Sequence, residues 1–157
     1  MKPTLKIDMS KVEGVFKRLR KELGHGKHGA KAGFLSGDKR DDGRLTEDQV
    51  ALYNEFGTAD IPARPFMRRA HAVLQKKIPQ IVQMGLEDEK TLERIVGECA
   101  VEMQNQIKES IDSNIPPPNK ESTIKRKGST RTLIDTGQMR QAVHSGIVIN
   151  SKEKVKD

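Results

Sequence analysis

The sequence predicts an α+β fold, a small antiparallel sheet packed against two main helices, with long loops that order on assembly. Three observations support it. Two stretches carry apolar stripes at helical spacing: Phe66, Ala70, Val73, Leu74, Ile78 and Ile81, then Leu92, Ile95, Val96, Cys99, Met103, Ile107 and Ile111. Short segments alternate apolar and polar residues, as half-buried strands do. Between them lie connections rich in Pro, Gly and charge. One domain over residues 1–150, followed by a flexible tail over 151–157, suits a chain of 157 residues.

In chain order, Thr4–Asp8 alternates and reads as a short strand. Ser10 and Glu13 then have the spacing of a capping box, with the hydroxyl accepting from a backbone N–H while the carboxylate accepts from the Ser N–H. Val12, Val15, Phe16, Leu19 and Leu23 form one helical stripe that Gly24 closes. Ala30–Leu35 is the next strand, weakened by Gly33. The segment from Ser36 to Arg44 has almost nothing to bury and reads as a mobile loop. Thr46 and Gln49 repeat the capping-box spacing, and a short helix should run to Phe56 and stop at Gly57.

Pro65 suits the first turn of the next helix. Pro79 is expected to kink or end that helix, and Gly85 to break it. A long helix is expected from Asp88 to Ser113. Ile115 to Thr132 holds three consecutive prolines, a basic run and Gly128, and reads as an unstructured, mobile connection. Asp135 is placed to cap a short turn over Thr136 to Met139, or to make a contact. Val143, Ile147 and Ile149 can line one face of a last strand. The tail from Ser151 to Asp157 is expected to fray.

The composition bounds the function classes. Hydrophobic residues make up 34% and charged residues 32% of the chain, so a thin core carries a large wetted surface. No run reaches the roughly 20 apolar residues of a membrane helix, and the first residues lack the apolar stretch of a secretory signal. One cysteine, Cys99, cannot form an internal disulfide, which suits synthesis in a reducing cytoplasm. Net charge is +7, unevenly spread: residues 1–45 hold 12 basic and 6 acidic groups, 46–114 hold 8 and 12, and 115–157 hold 9 and 4. Basic ends flank an acidic middle. That pattern is compatible with a nucleic-acid surface, with complementarity between neighbouring subunits or partners, or with plainly solvated faces.

No catalytic constellation is legible. His25 and His28 lie in a Gly-rich turn without a Cys or carboxylate set to complete a metal site, and His71 sits among basic neighbours on a helix. Cys99 falls on an apolar stripe, where a thiol is a small core residue. The expectation is no enzyme, no cofactor and no metal. Lys125, Arg126, Lys127 and Arg131 form a basic patch able to meet DNA phosphates without reading sequence. Stacking aromatics are missing around it.

Two stretches, Tyr53–Met67 and Ser122–Met139, combine backbone fixed by Gly and Pro with charged and aromatic side chains. Loops of that kind serve recognition or assembly. Glu55-Phe-Gly-Thr58, Ile61-Pro-Ala-Arg-Pro-Phe66, Ser122-Thr-Ile-Lys-Arg-Lys-Gly128 and Leu133-Ile-Asp-Thr-Gly137 follow one another across residues 46–150. That ordered set resembles the tail-completion (neck) and virion morphogenesis proteins of tailed bacteriophages, also called minor tail proteins. The N-terminal part agrees only in general layout.

The resemblance implies a structural virion protein, made in the host cytoplasm and placed at the head–tail junction. It implies a homo-oligomeric ring, sixfold by family expectation, that completes the tail around the DNA channel. The implied partners are the head connector or stopper and the tail terminator or tube proteins; no membrane is involved. The alternative is a basic DNA-binding accessory protein. On the assembly reading the interface residues are Tyr53, Glu55, Phe56, Gly57, Arg64, Phe66, Thr123, Lys125, Arg126, Asp135, Thr136 and Gly137. Glu55 is the candidate partner of Arg64, either between subunits or within one as a staple for the loop. The isolated protein is expected to associate poorly, with Ser36–Arg44 and Ile115–Thr132 disordered until docking.

Overall fold

A computed structural model of the chain describes residues 28–35 and 44–149, the backbone of 152–156, and Glu13, Gly14, Lys17 and Lys21. Those last four are helical and exposed, on the side away from the expected stripe. The rest of the expected first strand and first helix, and the loop from Ser36 to 43, lie outside the described residues.

The described elements are β1 (Gly29–Gly33), α1 (Glu47–Phe56), α2 (Phe66–Glu87), α3 (Leu92–Asp112), α4 (Glu121–Lys127), α5 (Gln138–Gln141), β2 (His144–Ile149) and β3 (Lys152–Lys156). The fold is α+β. The strands form one antiparallel sheet in the order β1-β2-β3, with Ala30 opposite Ile147 and Ser145 opposite Lys156. The expected frayed tail is therefore corrected over 152–156: its backbone pairs with the otherwise open edge of β2.

α3 is the centre of the molecule. It packs along α2 on one side and against β1 and β2 on the other. Its stripe explains the position, since Ile95, Cys99, Ile107 and Ile111 are all buried. Thr91 caps it, its hydroxyl accepting from the Arg94 N–H at 3.3 Å. Phe66, Ala70, Ile107, Ile111, Ile115, Leu133, Met139 and Val143 form one core cluster, with Phe34 meeting the Phe66 ring edge-on at 6.3 Å. Gln104 ties α3 to the sheet by donating to the Val143 carbonyl and accepting from the Ser145 hydroxyl.

Four expectations about the helices change. α2 continues through Pro79 to Glu87. Pro79 and Gln75, whose carbonyl loses its partner, are both exposed, so the missing bond falls where solvent can compensate for it. Gly85 does not break the helix. It is buried against α3, and a Cβ there would lie 2.6 Å from Ile95 Cγ1. The chain turns three residues later, at Asp88 to Lys90, with Glu89 at φ 53°.

The connection from Ile115 to Thr132 is ordered and contains α4, which Gly128 closes at φ 65°. α4 buries none of its residues, so no apolar stripe announces it. Asp135, finally, does not cap α5. Gly137, at φ 88°, holds the N-cap position, and the Gln138 N–H donates to the Thr136 hydroxyl.

Candidate functional site: a cleft between the two loop stretches

The two stretches singled out above meet in space. They form facing walls of one cleft of about 500 Å³, closed on a third side by residues 117–120. One wall is Val50 and Asn54 of α1 with Asp60, Ile61, Pro62 and Arg64 after it. The opposite wall comes from α4 and from the segment leading into α5.

The first wall begins with a well-made helix. Gln49 Oε1 accepts from the Thr46 N–H at 3.1 Å, as the expected capping box requires. At the other end Gly57 donates to the Tyr53 carbonyl at 2.9 Å and adopts φ 78°. The backbone then doubles back so tightly that a Cβ on Gly57 would lie 2.8 Å from the Ala63 nitrogen. Thr58 pins the bend: its N–H donates to the Ile61 carbonyl, and its hydroxyl accepts from the Ile61 N–H at 3.1 Å. Arg64 N donates back to the Asn54 carbonyl. Gly57 is thus required by both dihedral and space.

Glu55 and Arg64 are not partners of each other. Glu55 is 5% exposed and caps α2 from a distance, its carboxylate accepting from the Met67 N–H at 2.8 Å and the Arg68 N–H at 3.2 Å. Pro65 in the N-cap position has no side-chain acceptor to offer, so Glu55 supplies it, with a charge suited to a helix N-terminus. The Arg68 guanidinium pairs with Glu55 at 2.9 Å and lies over the Phe56 ring at 5.4 Å.

Arg64 reaches the third side of the cleft. Its Nε donates to the Pro117 carbonyl at 3.0 Å and its Nη2 to Asn119 Oδ1 at 3.1 Å. Asn119 passes the connection on, donating to the Arg131 carbonyl, which also accepts from Lys127 Nζ at 2.8 Å. Asn114 Oδ1 accepts from the Thr132 N–H. The long connection is therefore tied to the first wall through Arg64 and braced within itself by Asn119, Lys127 and Asn114.

The electrostatics of the cleft are unbalanced. Four cationic side chains line it, Arg64, Lys120, Arg126 and Lys127, against the carboxylates of Asp60 and Asp135. Arg64 is 4% exposed, and among the described residues no carboxylate lies within ion-pair distance of it. Burial lowers its pKa below the ordinary arginine value. Burial lowers the Lys127 pKa as well; Asp135 opposes that shift, while Arg126 and Arg64 add to it. Asp135 pairs with the exposed Arg126 at 3.8 Å, a weak contact.

Of the residues proposed for the interface, the cleft gathers Arg64, Thr123, Arg126, Asp135, Thr136 and Gly137. It does not gather the others. Phe66 is fully buried in the core, a correction to its interface assignment. Tyr53 and Phe56 stay outward, Phe56 at 65% exposure, and with Leu52 and Ile61 leave apolar surface at the end of α1. The expected basic patch is split: Lys125, Arg126 and Arg131 are exposed, while Lys127 turns inward to the Arg131 carbonyl. Sequence reasoning missed Asn54, Pro117, Asn119 and Lys120. Asn119, directly after the three prolines, offered the one local signal.

Elsewhere, Cys99 is buried, and burial, then the Glu98 charge, raises its thiol pKa. No group of three metal-ligating side chains occurs among the described residues. No helix among the described residues is long and apolar enough to cross a membrane. Comparison with family models, curated proteins and solved structures gives no match.

Proposed function

We propose that this chain is a structural virion protein of a tailed bacteriophage, acting at the head–tail interface. It forms a ring that completes the tail and joins it to the head connector around the DNA channel. The observation that carries this reading is the convergence of the motif-bearing stretches on one cleft. Segments far apart in sequence, which together resemble neck proteins, are facing walls of a single feature. Their Gly and Pro residues hold a fixed backbone path at low entropic cost. Side chains beside that path, Tyr53, Phe56 and Ile61, leave apolar surface exposed, as a subunit that docks on others would.

Particles assembled without this protein should accumulate as unattached heads and tails in electron micrographs. Normally joined virions in its absence would exclude the role.

The second reading, a DNA-binding accessory protein, draws on the exposed Lys125, Arg126 and Arg131. Charge reversal at Lys125 and Arg126 should then abolish duplex binding measured across a salt series. Binding that does not change, or that the parent protein never shows, removes this reading.

A further inference from the structure

α2 separates two surfaces of opposite character. The cationic cleft lies at its N-terminal end, where Arg64 stands two residues before the helix. At its C-terminal end the chain turns through Glu87, Asp88 and Glu89, all exposed. Met84, one turn earlier, is 59% exposed. A helix of 22 residues is about 33 Å long, so one molecule's turn cannot reach its own cleft.

We propose that the cleft receives the α2–α3 turn of a second copy of this chain. Carboxylates of Glu87 and Asp88 would meet Arg64, Arg126 and Lys127, and Met84 would enter between Ile61, Pro62 and Leu133. The inference rests on the ring reading and names the surfaces that close it.

Three features support the match. First, Arg64 is buried with its hydrogen bonds partly satisfied and its charge uncompensated. A buried charge without a counter-charge is costly, and an incoming carboxylate removes that cost. Second, the walls are mixed. Val50, Ile61, Pro62, Pro117, Leu133 and Met139 give an apolar lining beside the cations. A segment carrying one flexible thioether and adjacent carboxylates fits both demands. A DNA duplex meets only the cations, because its phosphates bring no apolar group to the lining. Third, the surfaces differ and sit at opposite ends of a rigid element, so the contact is head-to-tail. Heterologous contacts of that kind generate rings when the rotation closes. The pKa depressions at Arg64 and Lys127 agree, since an anion in the cleft would relieve both.

The test is a charge swap. One variant reverses the turn (Glu87→Lys, Asp88→Lys, Glu89→Lys). The other reverses the exposed cleft cations (Lys120→Glu, Arg126→Glu). Each alone should associate at least about 10-fold more weakly than the parent by sedimentation velocity at low salt. Mixed in equal amounts they should recover association, because every turn again faces an opposite charge. Recovery in the mixture also shows that both variants fold.

Zero-length carbodiimide cross-linking of a ¹⁴N/¹⁵N mixture gives an independent readout that also captures weak contacts. Cross-links should join Glu87 or Asp88 of one isotope to Lys120 or Lys127 of the other. Variants that associate like the parent, a mixture that does not recover, or cross-links confined to other surfaces would each overturn the proposal. Failed complementation combined with particles that need the protein for joining leaves the ring reading intact and this contact wrong. Variants that complement each other, in a protein that particles do without when they join, leave the contact intact and the ring reading wrong.

Discussion

The α2–α3 pair and the cleft are built by different forces. Between the helices, apolar stripes at regular spacing meet face to face, with Leu74, Ile95, Ile107 and Ile111 buried. The cleft is held by long polar side chains that reach distant backbone. Arg64 bonds Pro117 and Asn119, more than 50 positions away, and Glu55 caps a helix it does not belong to. Burial fixes the first region, and geometry-dependent bonds fix the second. The helix pair should therefore lose stability with volume changes, and the cleft should lose order with the loss of single donors or acceptors.

The largest expected effect lies where the two regions touch. Phe66 is fully buried in the core and is the first residue of α2 beyond the cleft. Phe66→Ala should cost about 3–5 kcal/mol, measured by urea unfolding; a loss under about 1 kcal/mol would mean that the core cluster collapses to fill the cavity and does not depend on this ring. Next is Gly85→Ala. The added Cβ meets Ile95 at 2.6 Å, so overpacking should cost about 1–3 kcal/mol. A stabilised variant would show that the helices are not so close.

In the polar region, Glu55→Ala removes the carboxylate that accepts from two backbone N–H groups at the start of α2 and should cost about 2 kcal/mol. Hydrogen exchange should speed up at Met67 and Arg68 first. Arg64→Ala should cost less globally, about 1–2 kcal/mol, because it also removes an uncompensated buried charge. Its signature is local: faster exchange across residues 115–131 with α3 unchanged. Equal loosening of both would erase the distinction between the two regions. The smallest effect carries the opposite sign. Gly97 has open space around its Cβ position, and Gly97→Ala should raise stability by up to about 1 kcal/mol.

The same division explains what the sequence disclosed. Both main helices, the stripe from Leu92 to Ile111, the stop at Gly57 and the strand ending at Ile149 follow from period and punctuation, although the second helix begins at Leu92 behind a Thr91 cap and not at the expected Asp88. Each depends on neighbours in sequence. α4 was hidden because it buries nothing and is anchored by partners outside itself. Pro79 and Gly85 were misleading because their local penalties are set by surroundings: solvent beside one, a crossing helix beside the other. The importance of Glu55, Arg64 and Asp135 was visible as charge within Gly- and Pro-rich loops. Their partners were not, since Glu55 turned to Arg68 and Arg64 to a carbonyl and an amide.

α2 runs unbroken past Pro79, and Gly85 lets α3 lie directly against it. A braced rod of this kind acts as a ruler. Any closed assembly that grips both of its ends inherits its repeat distance from the number of helical residues between them. Adding or deleting a turn of α2 would then alter the circumference as well as the stability.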